Sequence, residues 1–261
     1  MTGRLTEFAS HTEPSAGSAD FRALELRLVE SYSKVAKQYR RDDALEVNSE
    51  NHRRLGGNLK RLSGSFGRDI QALDAGCGTG RYFHCLKNVH KLVGVDISSE
   101  MLQAATDPIS KHEISVSDIQ LLQDNIYTVV LPNGSFDLVY SLGMFGHGAP
   151  LTLEVCRKFY DLLCPGGRLY FNVLETPKSR PLARTKEWLK KSAYPLLPQG
   201  VRRKLEARAS VLPCFTMTLP RLEELMNASG FSDFALSINV CRTPLWQGIH
   251  LECMATKFGR R

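Results

Sequence analysis

Three apolar runs that each close on an aspartate constrain this chain more than any other feature: residues 70–74, 91–96 and 119–124, ending in Asp74, Asp96 and Asp124. Short apolar runs bounded by turn residues predict buried strands, and their spacing leaves room for a helical crossover between them, so the chain reads as an α/β fold with a mostly parallel sheet. The first run passes into Gly76, Gly78 and Gly80. Alternate glycines permit a tight turn that presents bare backbone N–H groups to a ligand, and residues 81–87 read as the start of a helix. A dinucleotide-binding turn would place its third glycine at position 81, which is Arg81 here. Asp74 at the mouth of the turn would also repel a pyrophosphate, and it suits a ligand that carries positive charge.

Asp74-Ala-Gly76-Cys-Gly78-Thr-Gly80 resembles the glycine motif of the class I S-adenosylmethionine-dependent methyltransferases. The resemblance extends over roughly residues 21–257 and includes the Leu-x-Pro-Gly-Gly segment at 163–167 and the Ser98-Ser-Glu-Met-Leu102 helix start. It implies a seven-stranded, mostly parallel sheet with helices on both faces and an antiparallel last strand. S-adenosylmethionine would lie across the carboxyl ends of the first four strands. Asp74 and the turn of Gly76, Gly78 and Gly80 would hold its methionine end, Asp96 its ribose hydroxyls with Ile97 and Met101 alongside, and Asp124, Asn125 and Ile126 its adenine. Ser141, at the end of the fourth strand, joins this set. A Tyr-x-x-x-Ala-x-x-Tyr pattern on the N-terminal helix, here Tyr32, Ala36 and Tyr39, often folds over the cofactor in such proteins; packing of both tyrosines onto the sheet is the alternative.

The fourth strand is expected to run into a loop at 141–147, where acceptors sit in proteins of this kind. His147 is the candidate proton acceptor, with Tyr32, Tyr39 and His250 behind it; a histidine that packs on the cofactor or caps the next helix is the bland reading. In-line displacement at an activated methyl needs positioning more than it needs a base, and no metal-ligand spacing appears in the sequence.

The organisation expected is a flexible tail at 1–20, one domain at 21–257 with N-terminal helices at 21–65, a helical lid inserted at 174–217, and a short tail at 258–261. The lid carries ten basic residues against three acidic ones, which accounts for the net charge of +7. It reads as a solvated helical face, a pocket wall for an anionic small molecule, or a basic surface for peripheral membrane contact. Seven cysteines without a C-x-x-C pair read as reduced, and the absence of a signal-like or spanning apolar run leads to the expectation of a cytoplasmic protein. The acceptor expected is a small molecule, anionic or lipid-like. Nucleic acid is disfavoured because the fourth strand reads Ser141-Leu-Gly-Met where amino-group DNA methyltransferases carry Asn/Asp-Pro-Pro-aromatic. An RNA methyltransferase and a non-catalytic cofactor-binding regulator stay open as alternatives, and oligomeric state is not legible.

Overall fold

A computed structural model describes residues 19–176, 213–243 and 247–259. The chain forms α1 (Ala19–Glu46), α2 (Glu50–Gly64), β1 (Ile70–Ala75), β2 (Val89–Asp96), α3 (Ser99–Ala105), β3 (Asp118–Gln123), β4 (Phe136–Phe145), α4 (Leu153–Leu162), β5 (Leu163–Leu174), α5 (Leu219–Ala228), β6 (Asp233–Arg242) and β7 (Gln247–Thr256). The strands make one sheet in the order β3-β2-β1-β4-β5-β7-β6. β1 to β5 pair in parallel, and β7 runs antiparallel to both β5 and β6.

The strand sequences demand cover on both faces. In β1, Ile70 and Ala72 point into one apolar layer and Leu73 and Ala75 into the other, and all four are fully buried. The first layer is closed by Leu55 and Leu59 of α2 and Leu102 and Ala105 of α3. The second is closed by Val155, Phe159 and Leu162 of α4 with Leu222, Leu225 and Met226 of α5. Ser49, Ser98, Thr152 and Thr218 each cap the helix they precede by accepting a backbone N–H from its first turn, which fixes where α2, α3, α4 and α5 begin.

Two expectations need correction. The helix expected over 81–87 is only a 3₁₀ turn, Phe83–Cys85. Tyr82, Phe83, Cys85 and Leu86 are all buried, so the segment is apolar on nearly every side; it tucks beneath α2, which occupies the layer where a crossover helix would lie. Nor is 141–147 wholly a loop, because β4 continues to Phe145. A register shift between Ser141 and Phe145 interrupts its pairing with β5, and the Gly143 N–H, at φ +85°, donates to Asn172 Oδ1 at 2.8 Å. The side chain of Asn172 thereby satisfies the backbone group that the bulge releases.

The expected lid at 174–217 and the tail at 1–20 fall almost wholly outside the described residues, as does Trp246. At the lid's base, Glu175 bridges Met217, and the Thr176 N–H donates to the Met217 carbonyl at 2.8 Å. All seven cysteines are free, and all but Cys164 are buried. No helix among the described residues is long and apolar enough to cross a membrane.

Candidate active site

A pocket lies at the carboxyl ends of β1, β2 and β4 and is roofed by α1. It forms where parallel strands on either side of β1 diverge in their crossovers, the usual place for a ligand in an open α/β sheet. Asp74 ends β1 opposite Gly94 and Tyr140, and only 3% of it is exposed. Burial, reinforced by the charge of Asp96, pushes its carboxyl up to about 8, although the neighbouring Tyr140 acts in the opposite direction.

The turn after β1 is pinned to the neighbouring strand, since Gly76 N and Cys77 N both donate to the Val95 carbonyl at 2.8 and 3.0 Å. Gly76 (φ +78°) lies against Met144, and a Cβ built on it would stand 2.4 Å from Sδ; a Cβ on Gly78 (φ +53°) would meet nothing. Asp96 braces the turn from β2. Its Oδ2 accepts from Gly78 N at 2.8 Å and its Oδ1 from Ser98 N at 3.0 Å. Asp124, Asn125 and Ile126 follow β3, with Asn125 and Ile126 buried and the Asp124 N–H on the Asp96 carbonyl at 3.1 Å.

The structure therefore brings Tyr32, Tyr39, Asp74, Gly76, Gly78, Asp96, Ile97, Met101, Asp124, Asn125 and Ile126 to one pocket wall. Three of the expected residues stand apart from that wall. Ser141 is fully buried, and its hydroxyl donates to the Ala75 carbonyl at 2.7 Å, behind the wall. Gly80 shapes the turn, with its N–H on the Cys77 carbonyl at 3.0 Å. His147 is partly buried, with its ring edge-on to His250 at 5.9 Å and its carbonyl accepting from the Tyr32 hydroxyl. Burial, then the charge of Arg81, lower its pKa to about 4, so the imidazole is neutral at physiological pH.

Sequence reasoning missed the cation of the site. Arg81 is the one positively charged residue among the described lining, against Glu25, Asp74, Asp96 and Asp124. It stands 3.4 Å from Asp43 and 3.7 Å from Glu46, both on α1, and Asp43 also accepts from the Thr79 hydroxyl. Burial disfavours the arginine's charge, but Tyr82, Asp43 and Glu46 outweigh it and hold its pKa above the ordinary value. The sequence carried the signal at position 81, where a cation directly follows the third glycine, but only the packing of α1 over the turn gives it a carboxylate-binding position. Also missed were Phe21, Leu24 and Leu28, which line the roof from α1, with Phe21 edge-on to Tyr127 at 4.8 Å.

Strand order, glycine turn and strand-end acids together define the class I S-adenosylmethionine-dependent methyltransferase fold. The pocket suits that cofactor on its own chemistry. A buried carboxylate matches an ammonium, an arginine matches the carboxylate of the same amino acid, Asp96 can accept from two ribose hydroxyls, and the glycine turn faces open space at Gly78.

Residues 72–167 match the family model of the methyltransferase domain. Over 111 residues the chain is 32% identical to the arsenite methyltransferase of Aquipseudomonas alcaligenes; the match covers 39% of this chain, which spans only about a third (32%) of that relative. The fold is shared with 1,6-didemethyltoxoflavin-N1-methyltransferase of Burkholderia thailandensis, solved with its substrate and S-adenosylhomocysteine (TM-score 0.60, 17% identity, 95% of this chain and 94% of that one). It is shared too with phosphoethanolamine N-methyltransferase 2 of Haemonchus contortus bound to S-adenosyl-L-methionine (TM-score 0.56, 15% identity, 78% of this chain and 52% of that one). Residues 72–167 thus constitute a class I methyltransferase domain, an enzyme domain whose cofactor is S-adenosylmethionine.

Proposed function

We propose that the protein transfers a methyl group from S-adenosylmethionine to an N, O or S atom of a small-molecule acceptor, anionic or lipid-like in character. The observation that carries this reading is the pocket itself, in which three strand-end acids and one arginine meet under a roof of apolar and tyrosine side chains from α1. S-adenosylmethionine supplies a sulfonium-activated methyl group. Asp74 and Arg81 bind the two charges of its amino-acid end, Asp96 fixes the ribose, and Asp124 with Asn125 and Ile126 takes the adenine. Tyr32 and Tyr39 on α1, packed edge-on to each other at 6.1 Å, exclude water from the sulfonium side.

The side of the pocket formed by Phe21, Leu24 and Leu28 of α1 with Met144 and Pro150 is apolar and receives the acceptor. The basic composition of the segment at 174–217 favours an anionic group on the acceptor. A small acceptor accords with the arsenite, didemethyltoxoflavin and phosphoethanolamine enzymes that the chain is similar to. His147 takes the proton of an acceptor that arrives protonated. With its pKa depressed, it serves best where the acceptor is itself readily deprotonated.

Incubation of the protein with methyl-labelled cofactor and a metabolite extract, followed by identification of the labelled product, tests this reading. A labelled small molecule is expected. Label confined to RNA would show an RNA methyltransferase, and no S-adenosylhomocysteine with any extract would show a regulator. Substitution of His147 by Ala is expected to suppress turnover and spare cofactor binding; full turnover would remove it from the site.

A further inference from the structure

Behind the cofactor pocket, on the α2 side of the sheet, three potential metal ligands converge. His52 of α2 and the adjacent pair His84 and Cys85 on the 3₁₀ turn bring one nitrogen or sulfur atom each to within 4.8 Å of one another. The His84 Nε2 to Cys85 Sγ distance is 3.4 Å, close to the roughly 3.5 Å that two such ligands keep around a tetrahedral ion with bonds of about 2.0 and 2.3 Å. The His52 ring stacks on that of Tyr82 at 4.9 Å and on that of His84 at 5.4 Å.

Two further observations set this group apart from ordinary core packing. His52 is 4% exposed, yet neither of its ring nitrogens has a hydrogen-bond partner, and Nδ1 of His84 is likewise buried without one. Leaving such groups unsatisfied is costly, and natural cores rarely do so without an ion or other partner. One helical turn beyond His52 stands Gly56, where a Cβ would come within 2.6 Å of Cys85 Sγ. The glycine lets α2 settle directly over the thiol and keeps the sulfur and the two imidazoles in one small space.

We infer that His52, His84 and Cys85 form a binding site for a zinc-like divalent cation that clamps α2 to the turn following the glycine motif. Two imidazoles and a thiolate are a donor set for a borderline-soft ion, and magnesium or calcium would need oxygen ligands. Glu113, on the neighbouring turn, is the carboxylate whose charge reaches both His84 and Cys85, and it or water completes the four positions. Lys60 beside the thiol and Arg81 beside His52 oppose the ion's charge, which keeps its affinity below that of an all-cysteine centre. The ion enters past His84, the most exposed of the three. Tyr82, stacked on His52, also lines the cofactor pocket, so the clamp supports that wall from behind.

The test is titration of the full chain, freed of metal by chelation, with Co(II) and with Zn(II). One Co(II) per chain with a thiolate-to-cobalt charge-transfer absorption is expected, displaced by Zn(II). The band should vanish in Cys85→Ser and weaken at least tenfold in apparent affinity in His84→Asn, a half-buried position that spares the fold. Zn(II) should raise the melting temperature of the parent chain and leave that of Cys85→Ser unchanged. Absence of the band in the parent chain, or its persistence in Cys85→Ser, overturns the proposal, since any of the other six cysteines would then be the source.

Discussion

The Tyr32 hydroxyl donates to the backbone carbonyl of His147 at 2.5 Å, joining α1 to the segment that follows β4. Tyr32 lines the pocket, and the bond ties this part of the roof to the backbone beyond β4. Loss of the hydroxyl in Tyr32→Phe removes one hydrogen bond, on the order of 1 kcal/mol, and should weaken cofactor binding by about fivefold. Calorimetric titration with S-adenosylhomocysteine checks this; an unchanged affinity would show that α1 stays closed without the bond.

Asp74 should make cofactor binding depend on pH. Burial pushes its carboxyl up to about 8, so at pH 7 it is largely protonated, whereas the proposed pairing with the cofactor's ammonium requires it ionised. Binding at pH 7 should therefore release a proton, and affinity should climb by up to about tenfold per unit as pH rises toward 8. The stability effect has the opposite sense. With a folded pKa raised above the unfolded value, the native state binds more protons, and this residue costs stability progressively from about pH 4 to pH 8. Asp74→Asn should raise the melting temperature of the cofactor-free protein at pH 8, abolish the proton release and weaken binding. Equal heats of binding across buffers of different ionisation enthalpy would contradict the first part.

Gly76 and Gly78 should respond differently to the same change. Both hold positive φ, which costs an alanine roughly 1–2 kcal/mol. At Gly78 nothing else is lost, whereas at Gly76 the new methyl also meets Met144. Gly76→Ala should be the more destabilising in urea melts, and Met144→Ala should recover part of the difference in the double variant. Equal effects at the two glycines would show that Met144 yields freely.

Arg81 couples two roles that can be separated. Arg81→Gln leaves Asp43 and Glu46 without their partner, a loss of roughly 3–5 kcal/mol for a fully buried pair and less here because the arginine is a quarter exposed. It should also weaken S-adenosylhomocysteine binding by more than tenfold, yet leave 5′-methylthioadenosine, which lacks the amino-acid end, nearly unaffected. Parallel losses for both ligands would assign Arg81 to folding alone.

The sequence by itself determined the strands, the turn and the acids. The apolar runs that end in Asp74 and Asp96 read as buried strands and are buried, and Gly76 and Gly78 occupy positive-φ positions that other residues resist, so local chemistry is enough to place them; the run before Asp124 reads as a strand too, but it forms the edge of the sheet and none of its residues is fully buried. Tertiary structure decided what those local rules do not contain. Residues 81–87 read as a helix opening, but Tyr82, Phe83, Cys85 and Leu86 are all buried, and the segment holds only a 3₁₀ turn, Phe83–Cys85, under α2. Ser141 reads as a pocket residue, but its hydroxyl turns to the Ala75 carbonyl. Arg81 gains its place only because α1 lays Asp43 and Glu46 over the turn, and His52 meets His84 and Cys85 only because Gly56 lets a helix from elsewhere in the chain rest on them. Each of these is a contact between segments distant in sequence, set by which surfaces must be buried together and not by the residues on either side.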